Sequence, residues 1–270
     1  MSFTPVIPTG GFSGWRFLSR TLDAQKAAFG RDAALKRDED YFRQKIGSVV
    51  TAEALVSDRR LMSVALTAYG LEGDINSKAF IRKILEDGTL GPDALGNRLA
   101  DKRYLEFSKA FGFGDFAVPN TQLSTFADKI LHAYEERKFE AAVGEQDNGM
   151  RLGLNADREL AALAGRALST DGKWFTALGS PPLREVLQTG LGLPRSFTSV
   201  NLDQQLTILK ERAEKLFGSD DLAQFSDPEK REKLVRLYLV RAEIQSNTIT
   251  SGTAALTLLS QSQNRLSRYV

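Results

Sequence analysis

Few residues of this chain could do chemistry, and the first is its one histidine, His132. Glu135 and Glu136 follow three and four residues later, a spacing that on a helix puts imidazole and carboxylates on one side. A carboxylate-bridged metal pair in a helical bundle draws a Glu-x-x-His from each of two helices, which a single histidine cannot supply. His132 therefore reads as a surface ion-pair participant. In GRALSTDGKW, Gly172-Lys173 invites comparison with a nucleotide loop, but the spacing is wrong. Trp174 stands where a magnesium-binding Ser or Thr is required, so the stretch reads as a plain loop. EQDNGMRLGLNAD around Asp147 is acidic, yet it lacks the alternating ligands and closing glutamate of a calcium loop. It reads as a link, with Asn155 capping the helix that follows.

Asp58, Asp101 and Asp227 are the carboxylates that stand out, because each directly precedes a helical run. An aspartate there caps free N–H groups and favours the positive end of the helix dipole, which accounts for all three without a substrate. A nucleophilic serine has no elbow motif and only His132 as a base. Cysteine is absent, which excludes disulfides, thiolate catalysis and cysteine-held zinc or iron–sulfur centres. The expectation is a protein without catalytic residues, metal or cofactor. Trp15, Phe17 and Trp174 could be anchors for a partner or core residues, and Trp15, so near the chain start, is the better candidate for an interface.

The elements that would carry these residues are helical. NTQLSTFADKILHAYEERKFEAAVG sets Leu123, Phe126, Ile130, Leu131 and Tyr134 on one buried face and closes at Gly144. NLDQQLTILKERAEKLFG does the same through Leu202, Leu206, Leu209, Ala213 and Leu216. At SDPEKREKLVRLYLVRAEI, Asp227 is an N-cap and Pro228 occupies the first helical position, where its missing N–H costs nothing. Alternating β-branched runs and Asn-Gly hairpin turns are nearly absent, so the fold class is all-α.

Composition agrees with a soluble globular chain of one large or two ordinary domains: 270 residues, 42% hydrophobic, 26% charged. A net charge of +2 without a long basic run argues against a nucleic-acid or anionic-membrane surface. No apolar run reaches the roughly 18 residues of a spanning helix, and no cleavable secretory signal is visible at the start.

Apolar-Gly-apolar triplets end the amphipathic runs at Tyr69-Gly70-Leu71, Phe111-Gly112-Phe113 and Leu191-Gly192-Leu193, with Phe217-Gly218 and Phe29-Gly30 as weaker cases. They read as left-handed helix terminators, not phosphate loops. The segments LMSVALTAYGL, Leu61 to Leu71, and LREVLQTGLGL, Leu183 to Leu193, match at Leu, Val, Thr, Gly and Leu. The expectation is an internal duplication of a multi-helix unit, with Leu61, Val64, Leu71, Leu183, Val186 and Leu193 in the core. The organisation that follows is a flexible arm over 1–14, a first helical repeat over 15–119 and a connecting helix and linker over 120–154. A second repeat over 155–245 and a polar C-terminal segment over 246–270 complete it. In that last segment Ile249, Leu256, Leu259 and Leu266 form a sparse heptad seam in an uncharged setting, either a partner-binding helix or a frayed tail.

YFRQKIGSVVTAEALVSDRRLMSVALTAYGL, with FIRKILEDG and NRLADKRYLEFSKAFGFGD, and later W-FTALGSPPLREVLQTGLGLP, resembles a bacterial family known only as a domain of unknown function. The likeness runs roughly from Trp15 to Gln261. Genes of that family are often found near flagellar genes, which implies a role in the flagellum or its assembly, and the family supplies no catalytic residue to carry over. Three functions stand as expectations. The first is a non-enzymatic structural or assembly protein of the flagellum, exported without a cleavable signal and binding protein partners through Trp15, Ile249, Leu256, Leu259 and Leu266. The second is a cytoplasmic adaptor or chaperone-like regulator with a partner helix between the repeats. The third is an enzyme with an unfamiliar carboxylate site. Neither nucleic-acid binding nor membrane insertion is expected.

Overall fold

A computed structural model describes residues 3–245. Among them the chain is helical with no strand. The helices are α1 (Gly11–Phe29), α2 (Ala33–Lys45), α3 (Ala52–Ser57), α4 (Arg59–Ala68), α5 (Lys78–Asp87), α6 (Leu95–Arg98) and α7 (Arg103–Phe111). They continue as α8 (Phe126–Gly144), α9 (Asn148–Ala164), α10 (Thr170–Leu178), α11 (Pro181–Gly190), α12 (Leu202–Phe217) and α13 over 228–245. No helix among the described residues is long and apolar enough to cross a membrane.

The centre is a row of four helices: α4 packs on α8, α8 on α9, and α9 on α11. Helix α2 covers α4 and α8, and α1 crosses α8 and α9. The outer helices α3, α5 and α7 build on one flank, α10 and α12 on the other, and a 3₁₀ turn, Leu222–Ser226, lies on α9. One continuous apolar cluster runs from Trp15 and Leu18 through Leu61, Ile130, Leu160 and Val186 to Val235 and Leu239. The 120–154 stretch expected to join two units thus supplies α8 and the start of α9, both in the middle of that core.

Local chemistry explains the ends of the elements. Asp58 Oδ1 accepts from the N–H groups of Arg60 and Leu61, capping α4, and Asp227 Oδ1 accepts from Glu229 as α13 begins. Asp101 accepts from Arg103 N at the start of α7 and holds the Arg103 guanidinium at 2.6 Å. The two matching segments share one terminator. Gly70 and Gly192 sit at φ of 69° and 78°, where a side chain would be strained. Leu71 N–H returns to the Leu66 carbonyl at 2.9 Å and Leu193 N–H to that of Gln188 at 2.9 Å, the six-to-one bond of a Schellman stop. Leu61, Val64, Leu71, Leu183, Val186 and Leu193 are all buried, as expected. Gly112 and Gly218 are also left-handed stops, whereas Gly30 is right-handed and α1 turns directly toward α2.

Three readings of the sequence are corrected. Residues 120–122 form a separate 3₁₀ turn, α8 begins at Phe126, and Leu123 is exposed because it precedes the helix. Helix α9 begins at Asn148 with Asp147 as its cap, so Asn155 lies mid-helix and buried. Gly172-Lys173 is not a loop: Ser169 caps α10, and both residues are helical with Trp174 fully buried. Its indole donates to the Asp220 carbonyl at 2.7 Å. Of the N-terminal segment, residues 3–10 touch the body: Pro5 is buried, Val6 exchanges two hydrogen bonds with Gln25, and α1 starts at Gly11.

Candidate interaction surface

Trp15 is 5% exposed, with its ring against the backbone of Gly153 on α9. An anchor needs a free ring, so in this fold Trp15 serves the core and not a partner. Phe17 is half-buried. Ile249, Leu256, Leu259 and Leu266 lie outside the described residues. His132 is exposed on α8 and lines a cavity of about 210 Å³ between α1 and α8, with Lys26, Phe29, Glu135, Glu136 and Phe139. Lys26 Nζ is spent on Glu136 at 2.7 Å, and no group of metal-ligating side chains forms there or elsewhere among the described residues. A second, open groove on α2 is lined by Arg37, Asp40, Tyr41, Arg43, Gln44 and Arg60. Two of its three arginines are engaged: Arg60 stacks on Tyr41 at 4.5 Å and pairs with Asp38, and Arg43 pairs with Asp128.

The sequence reading missed a partly buried ionic cluster. Arg137 on α8 reaches Glu159 on α9 at 2.9 Å, and Arg158 grips Glu140 at 2.7 and 3.2 Å. Glu159 also accepts from Ser180 at 2.8 Å and Asn155 at 3.1 Å, which ties in the α10–α11 corner. Burial alone would push the Glu159 carboxyl up, but Arg137 and Arg158, with those two hydrogen bonds, hold it below its usual range. Burial lowers the Arg137 guanidinium. Every oxygen of Glu159 is occupied, so the cluster orients helices and has no group free to act on a substrate. In the sequence these residues look like ordinary exposed helix charges, and only the α8–α9 contact buries them.

What does face outward is an apolar surface on three loops gathered at the N-terminal end of α8. Asp115 is the clasp: its carboxylate accepts from Thr89 N–H at 2.6 Å, Leu90 N–H at 3.2 Å and Thr89 Oγ1 at 2.8 Å. Gly88, at φ 67°, lets the two loops touch; a Cβ there would lie 2.9 Å from the Gly114 carbonyl carbon. Asn120 donates to the Ala110 carbonyl at 3.0 Å at the end of α7, and buried Thr121 donates to the Val49 carbonyl at 2.7 Å. With their polar groups satisfied this way, the loops turn Leu90, Phe116, Val118, Leu123 and Val50 to solvent, Leu90 at 76% and Val118 at 63%. These are five of the eleven large exposed hydrophobic residues among the described ones. Clustering of this kind marks contact surfaces, whereas scattered exposed leucines do not.

The fold is similar to the crystal structure of protein AGR_C_984 from Agrobacterium tumefaciens. The likeness has a TM-score of 0.72 at 24% identity and covers 90% of this chain and 99% of that one. No curated protein matches the chain. Residues 68–230, from the last turn of α4 to the first turn of α13 and including the α7–α8 part of the loop surface, match the model of a family described as protein of unknown function. The chain belongs to that family, DUF1217.

Proposed function

We propose that this protein is a non-enzymatic structural or assembly component that works through protein–protein contacts, associated with the bacterial flagellum. The observation that carries the contact role is the loop surface: apolar side chains concentrated on braced loops, on a molecule whose concave sites already have Lys26, Arg43 and Arg60 in ion pairs. Apolar area of this kind gains by being covered, at roughly 25 cal/mol per Å² removed from water, and offers no polar group for chemistry. The flagellar setting comes from the family resemblance of the quoted sequence blocks, and the absence of cysteine is compatible with it. The internal duplication belongs to the same proposal, supported by the shared terminators at Gly70 and Gly192. The packing favours this reading over an adaptor with a groove between repeats, because α8 and α9 fill the space between α4 and α11.

Location tests it. In the bacterium that encodes the protein, a tagged copy is followed through shearing and purification of flagella with their basal bodies. Recovery in the purified structure or the exported fraction is the expected result. Recovery in the cytoplasm alone, in cells that do build flagella, overturns the flagellar assignment.

A further inference from the structure

We propose that the loop surface of Leu90, Phe116, Val118, Leu123 and Val50 is the docking site for residues 246–270 of a second copy of this chain, so that copies associate head to tail. The inference rests on the assembly reading above and names its partner.

Three observations carry it. The surface is apolar, so its occupant is an apolar segment without charge. Residues 244–264 contain no Asp, Glu, Lys or Arg, and within and just beyond them come Ile249, Leu256, Leu259 and Leu266. The other long uncharged stretch, residues 1–15, is already seated on the chain's own body from Phe3 to Trp15, so 244–264 is the stretch left whose chemistry suits that surface. The second observation is placement. Leu123 N-terminally abuts α8, its carbonyl accepting from Phe126 N–H at 3.0 Å. At the other end of α8, Asp147 lies beside Gly10, and Gly11 lies beside Glu243, two residues before the described chain stops. Helix α8 has 19 residues, which at 1.5 Å per residue sets the surface and the point of departure about 28 Å apart. The surface and the last described residues therefore stand at opposite ends of α8. The third is length: 25 residues, 246–270, follow Gln245 in the sequence, ample to cover five side chains on a neighbour. A contact between two different surfaces is heterologous, and repetition of it gives a ring where the rotation closes and an open filament where it does not. Copies joined this way add in one direction.

The chain's lack of cysteine makes the test clean. Full-length Val118→Cys and Leu259→Cys proteins, carrying tags of different size, are mixed and mildly oxidised. The expected product is a covalent pair holding one copy of each, in at least about tenfold excess over the pair formed when Leu256→Asp accompanies Leu259→Cys, given how much one buried leucine contributes to affinity. In sedimentation velocity of the unmodified chain, average mass rises with concentration. Val118→Asp, on an exposed loop where folding is not at stake, shifts that rise to roughly tenfold higher concentration or beyond. Two results overturn the proposal. One is a disulfide within single molecules of the Val118→Cys/Leu259→Cys double variant, with the mass of one chain, which would mean that the segment returns to its own body. The other is the absence of any cross-link with a constant single-chain mass. Cross-linking together with a purely cytoplasmic location would remove the flagellar assignment and keep the head-to-tail contact, and the reverse pattern would do the opposite.

Discussion

Glu159 is the residue on which the ionic cluster between α8 and α9 converges. Two guanidiniums, a hydroxyl and an amide meet its carboxylate, and the three parts they belong to, α8, α9 and the α10–α11 corner, share no other ionic contact of this density. Removing one partner of a buried ion pair leaves the other uncompensated, at a cost of about 3–5 kcal/mol. Glu159→Gln is expected to lose stability in that range in urea unfolding at pH 7. The pH dependence follows from the direction of the shift. The folded carboxyl lies below its ordinary value of 4.5, so the folded state binds fewer protons than the unfolded one near that pH. Its stabilising effect is complete above the unfolded value and disappears as pH falls through the folded one. Between pH 7 and acid, Glu159→Gln should therefore lose less stability than the parent chain. Equal slopes of unfolding free energy against pH would show that Glu159 is not a source of the acid sensitivity.

At the scale of elements, caps and stops hold the loop surface in place. Asp58 caps α4 and also accepts from the Tyr41 hydroxyl at 2.6 Å. Burial would push its carboxyl up, but that hydroxyl and the N–H groups of Leu61 and Arg60 outweigh burial and hold it below its usual value. Asp58→Ala should cost about 1–2 kcal/mol in thermal or urea unfolding, the range for a lost N-cap. Gly88 carries more specific information about the surface. Alanine there is strained by the left-handed backbone, by about 1–2 kcal/mol, and must displace the Gly114 backbone besides. Gly88→Ala is expected to destabilise by about 2 kcal/mol or more. Gly91→Ala, three residues on, meets nothing within 4 Å and should be close to neutral. A similar loss for both would mean that the loops are not held in the contact described. Caps and glycine stops were legible in the sequence because their chemistry is local. Asn155 was misplaced because a capping residue and a buried helical one look alike until the preceding helix start, at Asp147, is known.

Among the described residues one apolar cluster takes in Trp15 on α1 and Trp174 on α10. That continuity predicts cooperative unfolding. Single-tryptophan variants, Trp15→Phe and Trp174→Phe, each report one flank by fluorescence. Their urea transitions, corrected for the stability change of each substitution, should share a midpoint and slope. Two separated transitions would instead indicate that 15–119 and 155–245 fold as independent units.

Sequence by itself determined the all-α class, most helix ends and the core membership of Leu61, Val64, Leu183 and Val186, because periodicity, capping and left-handed stops depend on neighbours a few residues away. Tertiary structure decided the rest. It put Trp15 inside, although nothing near it in sequence distinguishes a core ring from an anchor. It turned Arg137, Glu140, Arg158 and Glu159 from apparent surface charges into a partly buried cluster, because α8 and α9 pack against each other. It also exposed Leu90, Val118 and Leu123, whose hydrophobicity alone suggests burial. Whether an apolar or charged side chain meets solvent depends on elements brought together across the whole chain, and that is information no local pattern contains.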